Sequence, residues 1–208
     1  AGHYMLDGKI RQYWKLPEHD QKPPSDEEIR CLVTKAVDDR LLSDVSIGSY
    51  LSGGLDSTII AALSKKLHTW TVGFQNNNEF NYAKIAAKHI GSSHHEVNIN
   101  YEEFIEIGCQ MIRKRAEPLS VPNEILIYKM TKEVKKENTV ILSGEGADEL
   151  FFGYDRIFRW ASSAKEWDLK KFSELYSYGS FEDMEIVEDA LAPYVHRKKP
   201  IDIVSHFF

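Results

Sequence analysis

Apolar residues recur along this chain with two alternating periods, which predict strands and helices in turn. Ser25, with Glu28 three residues later and an apolar stripe beyond, indicates a capped first helix. From residue 47 onward, short apolar runs alternate with stretches that carry apolar residues every three to four positions. The predicted strands are Ile47–Leu51, Thr69–Phe74, Glu96–Ile99 and Thr139–Leu142, and the predicted helices between them are Leu55–Leu67, Tyr82–Ile90, Glu102–Arg115 and Glu124–Lys136.

This alternation predicts an α/β fold, in which a parallel, twisted sheet is flanked by helices on both faces. After Gly144 the pattern is helical only. Further helices are expected at Ala147–Phe152, Asp155–Ser163, Leu169–Tyr176 and Glu182–Leu191. We therefore expect an all-helical C-terminal extension of the α/β domain.

The residues before the α/β pattern have a different character. Residues 2–13 predict a β-hairpin, with its turn at Asp7-Gly8. Three prolines between Pro17 and Pro24 exclude a helix there and indicate a linker. The predicted organisation is a hairpin over residues 1–16, a linker over 17–24, the α/β domain over 25–154 and a helical segment over 155–208.

Composition and charge narrow the classes of function. The 208 residues carry a formal net charge of −6, so we expect no nucleic-acid partner. No stretch approaches the roughly 18 consecutive apolar residues of a membrane span, and no signal-peptide pattern is present. We therefore expect a cytoplasmic protein with no membrane partner. Cys31 and Cys109 lack metal-site or disulfide spacing, so they are expected to be reduced structural thiols.

A loop of small residues follows the first predicted strand of the sheet. Its sequence is Ser52-Gly53-Gly54-Leu55-Asp56-Ser57, and a helix follows it, so we expect the loop at the ligand-binding edge of the sheet. Glycine allows backbone N–H groups to approach a phosphate, and the serines add hydroxyl donors. Asp56 would repel such an anion unless Mg²⁺ lies between them, so the pattern predicts a polyphosphate site with Mg²⁺. The alternative is an ordinary Gly-Gly turn with a capping aspartate.

A second loop of similar character follows the last predicted strand. Its sequence is Ser143-Gly144-Glu145-Gly146-Ala147-Asp148-Glu149. Three acids so close together are unfavourable unless a cation lies among them. We expect Asp148 to share Mg²⁺ with Asp56, and Glu145 to bind an ammonium group of the substrate. The alternative is an acidic helix N-terminus that only favours the helix dipole.

Taken together, these loops resemble a known family. The first resembles the pyrophosphate-binding loop of the ATP pyrophosphatases (PP-loop enzymes), which have the adenine nucleotide alpha hydrolase-like fold. The second resembles the signature of the synthetase domain of glutamine-hydrolysing asparagine synthetases. Residues 42–45, 71–74 and 94–96 also fit, and the resemblance spans residues 2–154. It implies a ligase that adenylylates the side-chain carboxylate of aspartate with ATP and Mg²⁺, releases pyrophosphate, and lets ammonia displace AMP to give asparagine.

The resemblance also implies roles for individual residues. Glu145, Asp56 and Asp148 are implied to be catalytic, with Asp56 and Asp148 as the Mg²⁺ ligands. The implied nucleotide-binding residues are Leu51, Ser52, Gly53, Gly54, Leu55, Asp56, Ser57, Val72, Gly73, Ser143 and Gly144. His94 and His95 are expected in a loop or in the core, and Phe152 and Tyr154 in packing beneath the second loop.

The chain departs from the family pattern in two respects. Its hairpin resembles only the tail of the family's glutaminase domain, so ammonia is expected from solution or from a separate glutaminase domain or subunit. The family's catalytic lysine has no match among Lys165, Lys170, Lys171, Lys198 and Lys199. We favour a fragment of a longer synthetase over a short natural variant completed by a partner chain. Association into a homodimer stays open.

Several alternatives to the aspartate ligase are also open. A related amidotransferase, or a β-lactam-forming or peptide-cyclising synthetase, would keep the adenylylation and change the acceptor. A catalytically silent ATP-binding module would bind the nucleotide without turnover. A tRNA-modifying ATP pyrophosphatase is least favoured, because the acidic net charge lacks the basic surface that RNA binding needs.

Overall fold

The computed structural model describes residues 2–15, 23–64, 67–176, 199–201 and 204. The chain divides into two compact units, residues 1–42 and 43–208. Most of the predicted linker and the whole of the predicted helix Glu182–Leu191 lie outside the described residues. The boundaries of the four predicted segments therefore stay predictions.

The first unit contains the predicted hairpin. Strands β1 (His3–Leu6) and β2 (Lys9–Gln12) pair antiparallel. Between them, Asp7 and Gly8 have φ values of +51° and +71°. A type I′ hairpin turn needs positive φ at both central positions, and an Asp-Gly pair is among the sequences that favour it.

Helix α1 (Asp26–Asp38) follows in the same unit and is capped as predicted. The Ser25 hydroxyl accepts a hydrogen bond from the Glu28 N–H, and the Glu28 carboxylate accepts one from the Ser25 N–H. This reciprocal pair satisfies two donors at the start of the helix. Along the predicted apolar stripe, Val37 is buried while Leu32 is 66% exposed.

The second unit is built on a four-stranded sheet. Its strands are β3 (Ile47–Tyr50), β4 (His68–Phe74), β5 (Ser93–Ile99) and β6 (Val140–Leu142), in the spatial order β5-β4-β3-β6. All neighbouring strands are parallel, which confirms the predicted sheet. Strand β5 begins before the predicted Glu96 because His94 and His95 pair with β4 despite their polar character.

The strand order reverses at β3. From β3 the chain moves outward to β4 and β5, and it then returns to form β6 on the other side of β3. Ser49 of β3 lies opposite Leu142 of β6. The carboxyl ends of these two strands are therefore neighbours, and open α/β sheets bind ligands in the crevice at such a reversal.

Helices cover both faces of this sheet. They are α2 (Leu55–Leu63), α3 (Phe80–Ile90), α4 (Tyr101–Arg115) and α5 (Asn123–Val134). The buried core on one face consists of Leu51, Ala61, Ala83 and Ala87. The buried core on the other face consists of Trp70, Val97, Met130 and Val134. Helix α2 ends before the predicted Leu67, since β4 already begins at His68.

The chain after β6 is helical over the residues described there, as predicted. Helices α6 (Ala147–Phe151), α7 (Asp155–Ser163) and α8 (Leu169–Tyr176) follow one another. The buried residues of this part form a separate cluster of Ile157, Ala161, Leu169, Phe172 and Val204, which we call the C-terminal cluster. Within the described residues, no helix combines the length and the apolar character that crossing a membrane requires.

Two isoleucines on α4 test the packing of this helix. Ile107 is 5% exposed and packs with Ile99 and Ile125, whereas Ile105 on the same helix is 56% exposed. We expect Ile107→Ala to lower the free energy of unfolding by about 2–5 kcal/mol, because it leaves a cavity. The matched change Ile105→Ala should alter it by less than about 0.5 kcal/mol. Urea unfolding measures both, and equal effects would contradict this orientation of the helix.

Candidate functional site

The loop after β3 turns tightly against α3. Gly53 has a φ of +88°, and a Cβ atom there would lie 2.5 Å from the carbonyl carbon of Tyr82. Both the backbone conformation and the lack of space require glycine. The contact with α3 thus explains why the first of the two glycines in the motif is required.

Two serine hydroxyls hold this loop in one conformation. The hydroxyl oxygens of Ser52 and Ser57 are 2.9 Å apart. The Ser57 hydroxyl accepts from the Ser52 N–H at 3.2 Å, and the Ser52 hydroxyl accepts from the Gly54 N–H at 3.2 Å. The loop is therefore preorganised by its own hydrogen bonds. The implied role of both serines in binding phosphate stays a prediction.

Helix α2 starts at this loop without a side-chain cap. Gly54 is its N-cap residue, and Thr58 N–H donates to the Gly54 carbonyl at 3.1 Å. The N–H groups of Leu55, Asp56 and Ser57 precede that bond, in the turn where a helix offers no internal acceptors and carries a partial positive charge. An anion at this end of α2 would find hydrogen-bond donors and a favourable field.

The second loop touches the first turn of α2. A Cβ atom at Gly144 would lie 2.9 Å from the carbonyl carbon of Asp56 and 2.9 Å from the backbone nitrogen of Ser57. Gly144 therefore packs directly on the backbone of the first loop. The pairing of β6 with β3 produces this contact, and it brings the two predicted motifs together at one site.

The acids of the second loop have different surroundings. Glu145 and Asp148 are exposed. The Asp148 carboxylate lies against Gly153, since a Cβ atom at Gly153 would be 1.7 Å from Asp148 Oδ1. Glu149 accepts a hydrogen bond from the Tyr154 hydroxyl. This bond favours the protonated phenol and raises the pKa of Tyr154 to about 12.

Three of the other implied nucleotide-binding residues, Leu51, Val72 and Gly73, lie in or directly after the strands of the sheet, and their nucleotide-binding role stays a prediction. The Leu51 side chain is buried in the core, and its N–H donates to the Trp70 carbonyl at 2.8 Å. The Val72 side chain packs in the core on the opposite face. Asn78 packs closely on Gly73, since a Cβ atom at Gly73 would lie 2.5 Å from Asn78 Cβ. Val72 and Gly73 thus lie on β4, beside the end of β3.

A metal site at these loops would depend on few protein ligands. In the part of the chain that the structure describes, no group of three or more histidine, cysteine, aspartate or glutamate side chains is arranged to hold a metal ion. Asp56 and Asp148 alone would supply two carboxylates. Mg²⁺ commonly takes one or two carboxylates together with phosphate oxygens and water, so this donor set suits it.

The two histidines predicted to lie in a loop or in the core form part of β5. His95 Nε2 is 2.9 Å from His68 Nδ1, and the His95 ring stacks on Trp70 with the centroids 4.1 Å apart. His94 Nδ1 is 3.0 Å from Thr69 Oγ1. Burial lowers the pKa of both His94 and His95, so the neutral imidazoles are favoured. Both belong to the packing of the sheet, at its amino end.

Two residues near the site have features that the sequence did not predict. Thr58 Oγ1 is buried and has no hydrogen-bond partner among the residues that the structure describes. In the sequence, its position directly after the first motif is the one signal for it. Tyr154 was expected in packing beneath the second loop, and its hydroxyl also donates a hydrogen bond to Glu149. Phe152 has a φ of +58°, which is a left-handed conformation. The chain reverses at this residue, and the reversal allows the bond. No residue pattern predicts a left-handed conformation at a phenylalanine.

Comparisons with known proteins agree with the two loops. The sequence profile of the family described as asparagine synthase matches residues 28–200. The chain is 36% identical over 173 residues to asparagine synthetase [glutamine-hydrolyzing] 1 of Bacillus subtilis, which covers 78% of this chain and 27% of that protein. It is 31% identical over 194 residues to asparagine synthetase B of Escherichia coli, covering 80% of this chain and 35% of that protein. Among solved structures, an NH3-dependent NAD synthetase from Campylobacter jejuni matches with a TM-score of 0.46 and 12% identity, over 88% of this chain and 93% of that one.

The chain belongs to the asparagine synthase family, because the family profile covers most of its length. This membership confirms the resemblance predicted from the two loops. The chain spans about a third or less of the length of these two asparagine synthetases, at 27% and 35%.

Replacing Gly144 with alanine tests the contact between the loops. The new methyl group would meet the backbone of Asp56 and Ser57 at 2.9 Å, so it would push the second loop away from α2. Overpacking of this kind costs about 1–3 kcal/mol. We expect ATP affinity to fall by about tenfold or more, as measured by calorimetric titration, while the circular dichroism spectrum stays unchanged. Unchanged affinity in a folded variant would contradict the shared site.

The phenol of Tyr154 should titrate above the ordinary pKa of a tyrosine side chain, which is about 10 in model peptides. The pKa of Tyr154 is raised to about 12, so the bond to Glu149 contributes fully to stability below about pH 10 and is lost as the pH rises through about 12. NMR of ring-labelled tyrosine at pH 11 should show a protonated phenol that is missing in Tyr154→Phe. Glu149→Gln should bring this pKa back toward 10. Ionisation of Tyr154 at the ordinary tyrosine pKa of about 10 would count against the bond.

Proposed function

We propose that this chain carries the ATP-dependent part of an asparagine synthetase, in which ATP activates the side-chain carboxylate of aspartate. The observation that carries the proposal is the contact of Gly144 with the first turn of α2. This contact joins the first loop, residues 52–57, to the second loop, residues 143–149, which we call the acidic loop. Family membership supports ATP-dependent amide-bond formation as the class of activity.

The first loop is suited to hold the phosphates of ATP. The N–H groups of Leu55, Asp56 and Ser57 offer donors at the positive end of α2. During adenylylation negative charge develops on the departing pyrophosphate. Donors that are already fixed in place stabilise this charge without reorganising, and the Ser52–Ser57 bond keeps this loop fixed.

The adenine ring is proposed to lie along β4. The Trp70 carbonyl faces β3, because it accepts from the Leu51 N–H. Backbone polar groups in a strand alternate in direction, so those of Val72 face the same side, where β3 has already ended at Tyr50. The N–H and carbonyl groups of Val72 are thus suited to hydrogen-bond a planar base at the crevice.

The acidic residues are proposed to serve the cation and the second substrate. Asp56 and Asp148 would hold Mg²⁺, and their hard carboxylate oxygens suit this ion. When bound, Mg²⁺ would neutralise negative charge on the leaving pyrophosphate. Glu145, which is exposed on the second loop, would pair with the ammonium group of aspartate and orient its side-chain carboxylate toward the nucleotide.

The proposed reaction has two steps. A side-chain carboxylate oxygen of aspartate attacks the α-phosphorus of ATP, and the bond to the bridging oxygen breaks to release pyrophosphate. Ammonia then attacks the activated carbonyl carbon and loses a proton, and AMP leaves with the electron pair of the C–O bond. The protein forms no covalent bond, so its residues bind, orient and neutralise charge.

The source of ammonia is proposed to be a glutaminase domain or subunit. The relatives from Bacillus subtilis and Escherichia coli are described as glutamine-hydrolyzing, and this chain covers 27% and 35% of their lengths. A cytoplasmic location and a homodimer remain predictions from the sequence. For the assay below, free ammonium replaces the glutaminase.

Pyrophosphate release tests the proposal. With ATP, Mg²⁺, aspartate and ammonium, we expect aspartate-dependent release that Asp56→Ala reduces by about 10²-fold or more, because the metal and the leaving group lose a ligand and a neutralising charge. Asp26→Ala is the matched control, since Asp26 is an exposed aspartate in the first turn of α1, and it should leave the rate unchanged.

Other outcomes of this assay separate the alternatives. If the chain binds ATP but releases pyrophosphate with none of the acceptors, a silent nucleotide-binding module is favoured. Release with a different carboxylic acid, and none with aspartate, would favour a relative with another acceptor. A rate of pyrophosphate release that Asp56→Ala leaves unchanged would contradict the assigned site.

A further inference from the structure

The acidic loop is followed by a turn that folds back on it. Helix α6 ends at Phe151, and Phe152 then takes a left-handed conformation. The Gly153 N–H donates to the Asp148 carbonyl at 2.9 Å. The side chain of Asp148 also lies against Gly153. It occupies the space that the side chain of any larger residue at position 153 would fill. The turn therefore fits closely around Asp148.

Tyr154 connects this turn with the helices that follow. It is the N-cap residue of α7, and its ring packs against the C-terminal cluster. Beside it, Phe152 is in edge-to-face contact with Phe158 of α7, with the ring centroids 4.8 Å apart. The Tyr154 hydroxyl nevertheless reaches back to Glu149. A single side chain thus contacts both the C-terminal cluster and the acidic loop.

We propose that Tyr154 is a positioning residue: its hydroxyl fixes Glu149 and thereby the orientation of Asp148, so that the packing of α7 and α8 sets the geometry of the acidic loop. Asp148 and Glu149 are consecutive residues in the short helix α6, and a shift of one displaces the other. This inference rests on the proposed function only where it treats Asp148 as a Mg²⁺ ligand.

The charges at the loop explain why a phenol suits this position. Asp148 and Glu149 are adjacent carboxylates that repel each other, and a Mg²⁺ ligand must keep its negative charge. A neutral hydroxyl donor satisfies Glu149 without neutralising Asp148. A lysine or arginine in its place would pair with either carboxylate and compete with the metal ion.

Tyr154→Phe tests the positioning of the loop without any ligand, because it keeps the ring and removes the hydroxyl. The amides of Leu150 and Gly153 are hydrogen-bonded to Gly146 and Asp148. We expect their hydrogen–deuterium exchange to become about tenfold faster, because a hydrogen bond to a charged group is lost. The matched control is Tyr101→Phe, which removes an exposed hydroxyl on α4. Unchanged exchange of these amides in Tyr154→Phe would overturn the proposal.

A second measurement connects the loop with the metal ion. Calorimetric titration of MgCl₂ into the full chain with a non-hydrolysable ATP analogue should give an apparent Kd for Mg²⁺ about three- to tenfold higher in Tyr154→Phe. Glu149→Gln keeps an acceptor for the hydroxyl, so its effect should be smaller. A purely structural role would lower the thermal midpoint and leave the Kd unchanged, and this result would overturn the proposed coupling.

The two measurements also separate this inference from the proposed function. If the wild-type chain binds neither ATP nor Mg²⁺, the proposed function fails, and amide exchange still decides whether Tyr154 positions the loop. If the wild-type chain binds both and Tyr154→Phe matches it in exchange and in Mg²⁺ affinity, the proposed function stands and the inference fails.

Discussion

The site depends on the parallel pairing of β6 with β3. These strands are distant in the sequence, yet Ser49 lies opposite Leu142, and their carboxyl ends open into the same crevice. The loop that follows each strand therefore emerges beside the other. If β6 paired at the far edge of the sheet, beside β5, Gly144 would have no contact with α2. The reversal of strand order at β3 is thus what turns two separate loops into one site.

Small residues allow the backbones at this crevice to approach closely. Gly53 packs against Tyr82, and Gly144 packs against Asp56 and Ser57. These contacts leave the amide groups of the α2 terminus as the surface that an anion would meet. Carboxylates at the same place would weaken anion binding by themselves, and a divalent cation between them and a phosphate removes this conflict. The combination of an anion-binding helix end and acidic residues is consistent with a nucleotide bound together with a metal ion.

The acidic loop is supported from the side of the C-terminal helices. The Phe152 turn directs Tyr154 back to Glu149, while the Tyr154 ring remains in the packing of α7 and α8. The sheet therefore positions Gly144 at the start of the second loop, and the helical extension holds its end. This arrangement gives the C-terminal helices a role at the site, although they lie beyond the sheet.

Local patterns in the sequence determined most of the described helices and strands and were the basis for the predicted chemistry. Residue spacing predicted the strands, the capping box at Ser25 and the Asp7-Gly8 turn, because each depends on neighbours within a few positions. The two loop sequences predicted phosphate and cation chemistry. Family membership supports an ATP-dependent ligase, and the cation stays a prediction. Only the tertiary structure decided that β6 joins β3, that Gly144 meets Asp56, and that Tyr154 bonds to Glu149. Strand order and side-chain contacts come from packing between distant segments, and no local period in the sequence encodes which segments meet.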